Sequence, residues 1–378
     1  MYSRIFKPSP TASYFIFGPR GTGKTSWLKA FYKKSIYIDL LKSSTFNELR
    51  ARPERIWDLI PKKYTGPVII DEIQRVPALL NEIHSFMNDK KQSLQFVLTG
   101  SNARKLKKAG VNLLAGRIRV QNFYPFLVQE LGSDFNLKKA LKFGMLPESW
   151  TSADPNEYLE SYLQVYIDQE VRLEGLVRNV DDFARFLEAA SLSQASVLNI
   201  SNVSSDAGVP RKTVQTYFEI LEDLLIAYRL PVFQKKAKRE LISHEKFYFF
   251  DSGLFRVIRP KGILDADSEI GGASLETLIF SQIKASNDLL QFKYDMTYWH
   301  TKKHVEVDFI LYGERGFHAI EVKTAGQIRE KDLLGLREFK KDYPQANLLF
   351  IYGGASRTIG DIQAVNVEDF LLSMDEFI

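Results

Sequence analysis

Two stretches of this sequence carry residue types at spacings that could do chemistry. The first is Gly18-Pro19-Arg20-Gly21-Thr22-Gly23-Lys24-Thr25, followed by Ser26, within SYFIFGPRGTGKTSWLKAFYKK. Two glycines bracket four residues and are followed by Lys-Thr, which is the P-loop pattern. Glycines there let backbone N–H groups turn inward around phosphates. A helix beginning near Lys24 would point its positive end at the same anion. Lys24 would reach the terminal phosphates and Thr25 would ligate magnesium. The expected ligands are therefore ATP and Mg²⁺, cradled by Gly18 through Ser26. The plainer alternative is a glycine-rich turn before a helix, and the apolar run before it and the helical pattern after it favour the loop.

The second stretch is VEVDFILYGERGFHAIEVKTA, Val305 to Ala325. Asp308 is followed thirteen positions later by Glu321, with Lys323 two further on. Side chains alternate faces along a strand, so Glu321 and Lys323 share a side. Asp308 faces them if the strand register permits. Two carboxylates on neighbouring strands can bind one hard cation such as Mg²⁺. The metal would activate a water, and the lysine would stabilise charge in a phosphodiester transition state. Glu276, on a helix read from GGASLETLIFSQIKAS, would help to position metal or water. The same spacing also suits an ordinary charged hairpin.

Strands, helices and turns must position these groups. GPVIIDEIQRV is an apolar strand ending in Asp71-Glu72. A continuous apolar run suits a parallel sheet buried on both faces, whose ligands bind beyond the carboxyl ends of the strands. Asp71 would sit beside the P-loop and hold magnesium through water, and Glu72 would orient or deprotonate the attacking water. A third strand, LQFVLTGS, ends in Thr99-Gly100-Ser101-Asn102. Its polar side chains, Ser101 among them, would reach the terminal phosphate or the water, or would simply cap a helix. Arg117, in LLAGRIRV, would sense phosphate charge or lie solvated on the surface.

This block resembles the AAA+ ATPases. Gly18–Thr25 looks like their Walker A motif, Val68–Glu72 like Walker B, and Thr99–Asn102 like sensor 1. LAGR followed by FYPFLVQEL, with FGMLPESW at Phe143–Trp150, is similar to the bacterial and archaeal subgroup that carries an added C-terminal domain of uncharacterised role. The resemblance implies an ATP-binding and hydrolysing domain. No clear sensor 2 arginine is found, so how subunits would communicate stays open.

NEYLESYLQVYIDQEVRLEGL has an apolar stripe at helical spacing, with Leu159, Tyr162, Leu163, Tyr166 and Ile167 inward and Asp168 and Glu170 outward. DDFARFLEAASLSQ is a further helix. NISNVSSDAGVPRKTVQTYFEILEDLLIAYRL then gives a short helix, a turn at Gly208 and Pro210, and a longer helix. With the strands AYRLPVFQ and KFYFFDSGL, this reads as helix-turn-helix plus wing. Arg211, Lys212, Thr213 and Gln215 open the second helix, where DNA-binding versions meet base edges. Lys235, Lys236, Lys238 and Arg239 would lie at the wing tip, against phosphates.

In the last third the expected strands are Met296–Trp299, Val305–Leu311 and Phe317–Lys323. They are followed by the helix IREKDLLGLREFKKDY, then a strand, a turn and a closing helix in ANLLFIYGGASRTIGDIQAVNVEDFLL. That order resembles the restriction-endonuclease-like PD-(D/E)XK fold, with Glu276, Asp308, Glu321 and Lys323 on its signature positions and Glu306 as the acidic neighbour. The resemblance implies a metal-dependent nuclease-like domain acting on DNA.

The expected class is α/β in three parts: a P-loop AAA+ domain with a parallel sheet over residues 1–150, a helical and winged-helix middle over 151–262, and a restriction-endonuclease-like domain over 263–378. A chain of 378 residues is long enough for several domains. Its 45% hydrophobic and 26% charged content is ordinary for a globular protein. It has no cysteine, which excludes disulfides, thiolate metal sites and cysteine nucleophiles and suits the cytoplasm. No apolar run approaches the roughly 20 residues of a membrane helix, and the first residues lack the apolar core of a signal peptide. A net charge of +5 permits a polyanionic partner. The first functional reading is an ATPase whose cycle controls a metal-dependent nuclease on DNA. The second is an ATP-driven switch that binds nucleic acid, a protein partner or its own copies without cleaving.

Overall fold

The computed structural model describes residues 2–88, 94–101, 116–166, 171, 177, 179–260, 262 and 266–378. Asn102, Ile167, Asp168 and Glu170, all singled out above, lie outside them. The chain divides into two compact units. One is Phe6–Pro125 with Glu222–Leu225, and the other is mainly Phe126–Leu221 and Ile226–Ile378.

The first unit is built on β1 (Tyr14–Phe17), β2 (Ile36–Asp39), β3 (Val68–Asp71), β4 (Phe96–Gly100) and β5 (Arg119–Asn122). They form one sheet in the order β2-β3-β4-β1-β5, and every pairing is parallel. β1, β3 and β4 are buried at every position, which is why their sequences are continuously apolar. Phe15, Ile38, Ile70 and Leu98 pack with Leu79, Leu80 and Ile83 of the helix Leu79–Asn88. The parallel register brings the carboxyl ends of β1, β3 and β4 to one rim, which is where the motif residues fall.

In the second unit, the helix Pro155–Tyr166 occupies the expected aromatic stripe. The helices Val180–Ser191, Ile200–Ala207 and Arg211–Asp223 follow. The Asn179 and Asn199 side chains cap the first two. Gly208, at φ 63°, ends the second in the left-handed conformation that glycine adopts without strain. A small antiparallel sheet, β6 (Ser196–Val197), β7 (Ala227–Leu230) and β8 (Lys246–Phe249), has the order β6-β8-β7. β7 stops before Pro231, shorter than expected, because proline brings no N–H to the ladder.

The larger sheet has six strands: β9 (Asp295–His300), β10 (Glu306–Gly313), β11 (Gly316–Lys323), β12 (Asn347–Tyr352), β13 (Arg357–Ile359) and β14 (Ile362–Asn366). Their order is β13-β14-β12-β11-β10-β9. The last two strands to enter the chain, β13 and β14, form where the sequence suggested only a turn. On one face, Leu275, Leu278, Ile279 and Ile283 of the long helix Asp267–Leu289 pack on Phe309, Ile320 and Val322. On the other, Leu336 and Phe339 of the helix Leu334–Asp342 pack on Val307, Ile310 and Ala319.

The segment between β7 and β8, expected as a wing tip, lies along β9 instead. Phe233 N–H donates to the Tyr298 carbonyl at 2.7 Å, and Ile242 N–H donates to that of His300 at 3.2 Å. Lys235 bonds Asp295, and Arg239 is held by Glu338 and Asp342. The edge strand is thereby covered, which removes a template for unwanted pairing.

Phe339 is fully buried and its ring meets those of Trp299, Phe317, Tyr343 and Phe233. Phe339→Ala is expected to destabilise the second unit by about 3–5 kcal/mol. Urea unfolding checks this, and a change below about 1 kcal/mol would mean the cluster is not the core it resembles.

Candidate functional site

The P-loop follows β1, and the helix Lys24–Phe31 starts immediately after it. A Cβ on Gly18 would lie 2.2 Å from the Phe123 carbonyl oxygen, so only glycine admits that approach. Gly23 precedes the helix at φ 91°, a conformation that other residues adopt only with strain. Trp27 and Leu28 anchor the helix in the core, and Lys24 is buried as well. The Lys24 ammonium curls into its own loop and donates to the Gly18 and Pro19 carbonyls at 2.7 and 2.9 Å. Thr22 Oγ1 donates to Pro19 O at 2.9 Å and braces the same turn. Gly21 takes φ 78°. Arg20 is half-buried and Ser26 is exposed.

Across the rim, Thr25 Oγ1 donates to Asp71 Oδ2 at 2.8 Å. Thr99 Oγ1 donates to the other Asp71 oxygen. Tyr37, on β2, donates its phenol to Asp71 as well. Burial, then the Asp71 charge, pushes the Tyr37 phenol well above its usual range. Thr25 and Asp71, the two groups expected to hold magnesium, therefore already meet, and the residues present fit a magnesium–triphosphate ligand. Glu72 takes the left-handed backbone conformation, φ 63° and ψ 46°. Its N–H donates to Thr99 Oγ1 at 3.0 Å. Its carboxylate accepts from Gln74 and, at 3.2 Å, from Ser101 Oγ. Arg117 is exposed, with its guanidinium 2.8 Å from His84 Nε2. Sequence reasoning missed Tyr37 and Gln74. Gln74 lies two residues beyond Asp71-Glu72, so its position was a usable signal, whereas Tyr37 belongs to a strand that carries no motif.

A second constellation lies in the other unit. β10 and β11 pair with Phe309 opposite Ile320, and continuing that register sets Asp308 beside Glu321. A bulge between Val307 and Ile310 interrupts the β9–β10 ladder. Val307 and Ile310 both pack towards Phe339, while Phe309 packs towards Ile279. The extra residue at the bulge is Asp308, re-aimed as bulges re-aim side chains. Asp308 Oδ2 accepts the Val322 N–H at 2.9 Å. Lys323 Nζ lies 2.6 Å from Glu321 Oε1. Glu321 Oε2 is buried with no hydrogen-bond partner.

The group at the centre is one the sequence reading did not choose. Lys246, the first residue of β8, is 2% exposed. Its ammonium lies 2.6 Å from Glu276 Oε1, 2.6 Å from Glu306 Oε1 and 3.0 Å from Asp308 Oδ1. Tyr248, two residues along the same strand, donates to Glu276 Oε1 at 2.6 Å. The available signal was a lysine opening the apolar run KFYFF, since a lysine is almost never fully buried unless paired. Burial works against its charge, but Glu276, Tyr248, Asp308 and Glu306 outweigh that and hold it well above the usual lysine range. Burial raises Glu276 to about 7 and Glu321 to about 8, with Asp308 adding to both. Asp308 stays below the usual range, because Lys246, Lys323 and the Val322 N–H outweigh its burial. The cluster does not fit the Mg²⁺ expected of a nuclease-like site. A lysine fills the space between three carboxylates, and no group of three or more metal-ligating side chains is found among the described residues.

Residues 11–132 match the family model described as AAA domain. Residues 134–263 and 271–370 match two models described as domains of unknown function, DUF8612 and DUF4143. The chain is similar to the uncharacterized protein Rv2008c of Mycobacterium tuberculosis and the uncharacterized protein Mb2031c of Mycobacterium bovis. Each is 25% identical over 357 residues, covering 90% of this chain and 76% of theirs. The crystal structure of protein VC1899 from Vibrio cholerae aligns over 97% of this chain and 96% of that one, at 13% identity and a TM-score of 0.24. No described helix is long and apolar enough to cross a membrane.

The raised carboxyls give a pH test. Glu321 keeps its proton in the folded chain up to about 8, against 4.5 without the fold. Between those values the folded state binds the extra proton, so this contribution to stability falls as pH rises. Glu321→Gln cannot titrate. Relative to it, the wild type should be more stable at pH 5 than at pH 9, read as the difference in Tm. A difference that does not change with pH would contradict the assignment.

Proposed function

We propose that this chain binds and hydrolyses ATP and that the nucleotide cycle operates a switch that binds DNA without cleaving it. The observation that carries the ATP reading is the meeting of Lys24, Thr25, Asp71 and Glu72 on one sheet rim, within the segment matched by the AAA domain model. The Lys24 ammonium exchanges its two carbonyl partners for phosphate oxygens, and the backbone N–H groups of the loop bind the same phosphates. Thr25 and Asp71 would hold Mg²⁺, which would supply positive charge to offset that of the phosphates. Glu72 is the group that orients the attacking water and takes its proton. Gln74 and Ser101 fix its carboxylate, and Thr99 fixes its backbone.

The DNA half of the reading rests on Arg211, Lys212 and Gln215, which open the helix Arg211–Asp223 and are exposed. The opposite stripe of that helix, Val214, Tyr217, Phe218 and Leu221, is buried and fixes its orientation. The switch does not cleave, because the Lys246 ammonium fills the space between Glu276, Glu306 and Asp308 that a cleaving metal would need.

Two measurements test the proposal. Glu72→Gln should retain ATP binding and lose hydrolysis by at least about 10²-fold, whereas Lys24→Ala should weaken binding itself. Hydrolysis at the wild-type rate by Glu72→Gln would remove Glu72 from its role. Replacing both Arg211 and Lys212 by alanine should weaken DNA binding and lower its salt slope by about 2. An unchanged slope would point to a protein partner.

A further inference from the structure

Asp71 is 1% exposed, and three neutral hydroxyls meet its carboxylate. Thr25 and Tyr37 donate to Oδ2, and Thr99 donates to Oδ1. A carboxylate offers about four acceptor positions, so one is left for a water bound to a cation. Mg²⁺ keeps several waters and takes phosphate oxygens as well, so one carboxylate beside one hydroxyl suffices for the protein's share. Thr25 and Thr99 stand in segments that carry motifs, whereas Tyr37 does not. β2 delivers it by register. The strand pairs in parallel with β3, with Tyr37 opposite Ile69 and Asp39 opposite Asp71. Tyr37 therefore starts two residues, about 6.6 Å along the strand, short of the carboxylate. A side chain leaning along the strand must cover that distance and end in a donor. A phenol does both without bringing a charge, whereas a lysine or arginine would pair with Asp71 and compete with a cation. Asp39, although directly opposite, is turned away, and its Oδ1 accepts the Leu41 N–H at 2.9 Å. The ring itself is fixed from the other side. Ile38 packs into the core on one face of β2, which leaves Tyr37 on the opposite face, where Lys29 Nζ of the helix Lys24–Phe31 lies 5.1 Å from the ring centroid.

We infer that Tyr37 is a positioning residue of the nucleotide site: its phenol fixes the Asp71 carboxylate, so that the remaining acceptor position keeps a constant direction beside Thr25. The inference rests on the ATP reading and deepens it. Groups that hydrogen-bond a metal-binding carboxylate set its orientation, and losing one typically costs about 10–100-fold in metal affinity. Tyr37 acts through Asp71, so its loss should appear in the affinity for the metal and not in the affinity for the nucleotide or in the chemistry at Glu72.

The test uses the full chain with ADP and Mn²⁺ as probes. Calorimetry measures ADP binding in chelator, and electron paramagnetic resonance measures Mn²⁺ binding to the ADP complex. Tyr37→Phe removes the hydroxyl and keeps the ring. It should bind ADP in chelator as wild type does, and hold Mn²⁺ about 10–100-fold more weakly. ATP hydrolysis by the variant should fall at low Mg²⁺ and recover at high Mg²⁺ with kcat preserved, a split that lost packing would not produce. Tyr14→Phe is the control. The Tyr14 phenol meets that of Tyr32 in the same unit, and its removal should leave Mn²⁺ affinity unchanged. Mn²⁺ affinity in Tyr37→Phe equal to that of wild type overturns the inference, and tighter binding does so by making the phenol a competitor of the ion. Loss of ADP binding in chelator by Tyr37→Phe, or an equal loss of Mn²⁺ affinity in Tyr14→Phe, would make the effect one of packing and overturn it as well. Wild type that binds no ADP under either condition overturns the ATP reading itself, and this inference falls with it.

Discussion

A charge taken out of water must find its counter-charges inside the protein, and the Lys246 ammonium imposes that condition on the second unit. Removing one partner of a buried ion pair costs about 3–5 kcal/mol, a large share of the roughly 5–15 kcal/mol that holds a typical protein folded. Several features serve this one group. β8 delivers the lysine, the long helix delivers Glu276, and β10 delivers Glu306 and Asp308. The bulge in β10 turns Asp308 away from regular alternation, so that one oxygen meets the lysine and the other meets the β11 backbone. Tyr248 donates a further hydrogen bond from the lysine's own strand. The charge cluster thus sits where the small sheet, the large sheet and the helix between them must agree in position.

The nucleotide rim of the first unit follows a different logic. There the polar groups are held by neutral hydroxyls rather than by opposite charges. Asp71 accepts from Thr25, Thr99 and Tyr37, and an ion could take over such bonds without leaving a buried charge unpaired. Glu72 stands in a left-handed backbone conformation that costs of order 1–3 kcal/mol for a residue with a side chain. The Thr99 hydroxyl accepting its N–H, and Gln74 and Ser101 on its carboxylate, hold it there. Such a carboxylate is positioned before any ligand arrives.

Much of this was legible in the residues themselves. The runs ending at Gly18, Asp71 and Ser101 are strands of one parallel sheet because strands buried on both faces are apolar throughout, and that pattern is local. Gly208 marked a helix end because glycine alone enters the left-handed region freely. β10 and β11 were legible as alternating runs around a Gly-Glu-Arg-Gly turn. Other features were hidden for physical reasons. β13 and β14 are short and follow glycine-rich sequence, so they resembled a turn. Lys235 and Arg239 resembled a free basic loop, yet each finds carboxylates more than fifty positions away in sequence.

The sequence by itself determined the glycine-rich loop and three of the strands around it, β1, β3 and β4, because glycine geometry, helix starts and apolar runs are properties of neighbouring residues, whereas β2, β5 and the order of the sheet were not local patterns. It also determined that Asp308, Glu321 and Lys323 would stand on adjacent strands. Tertiary structure alone decided what those groups surround. Lys246 is 62 residues from Asp308 in the chain and 3.0 Å from it in space. No local pattern encodes that meeting, because it follows from how one sheet is seated against another, and it makes a charged hairpin the wall of an internal ion cluster.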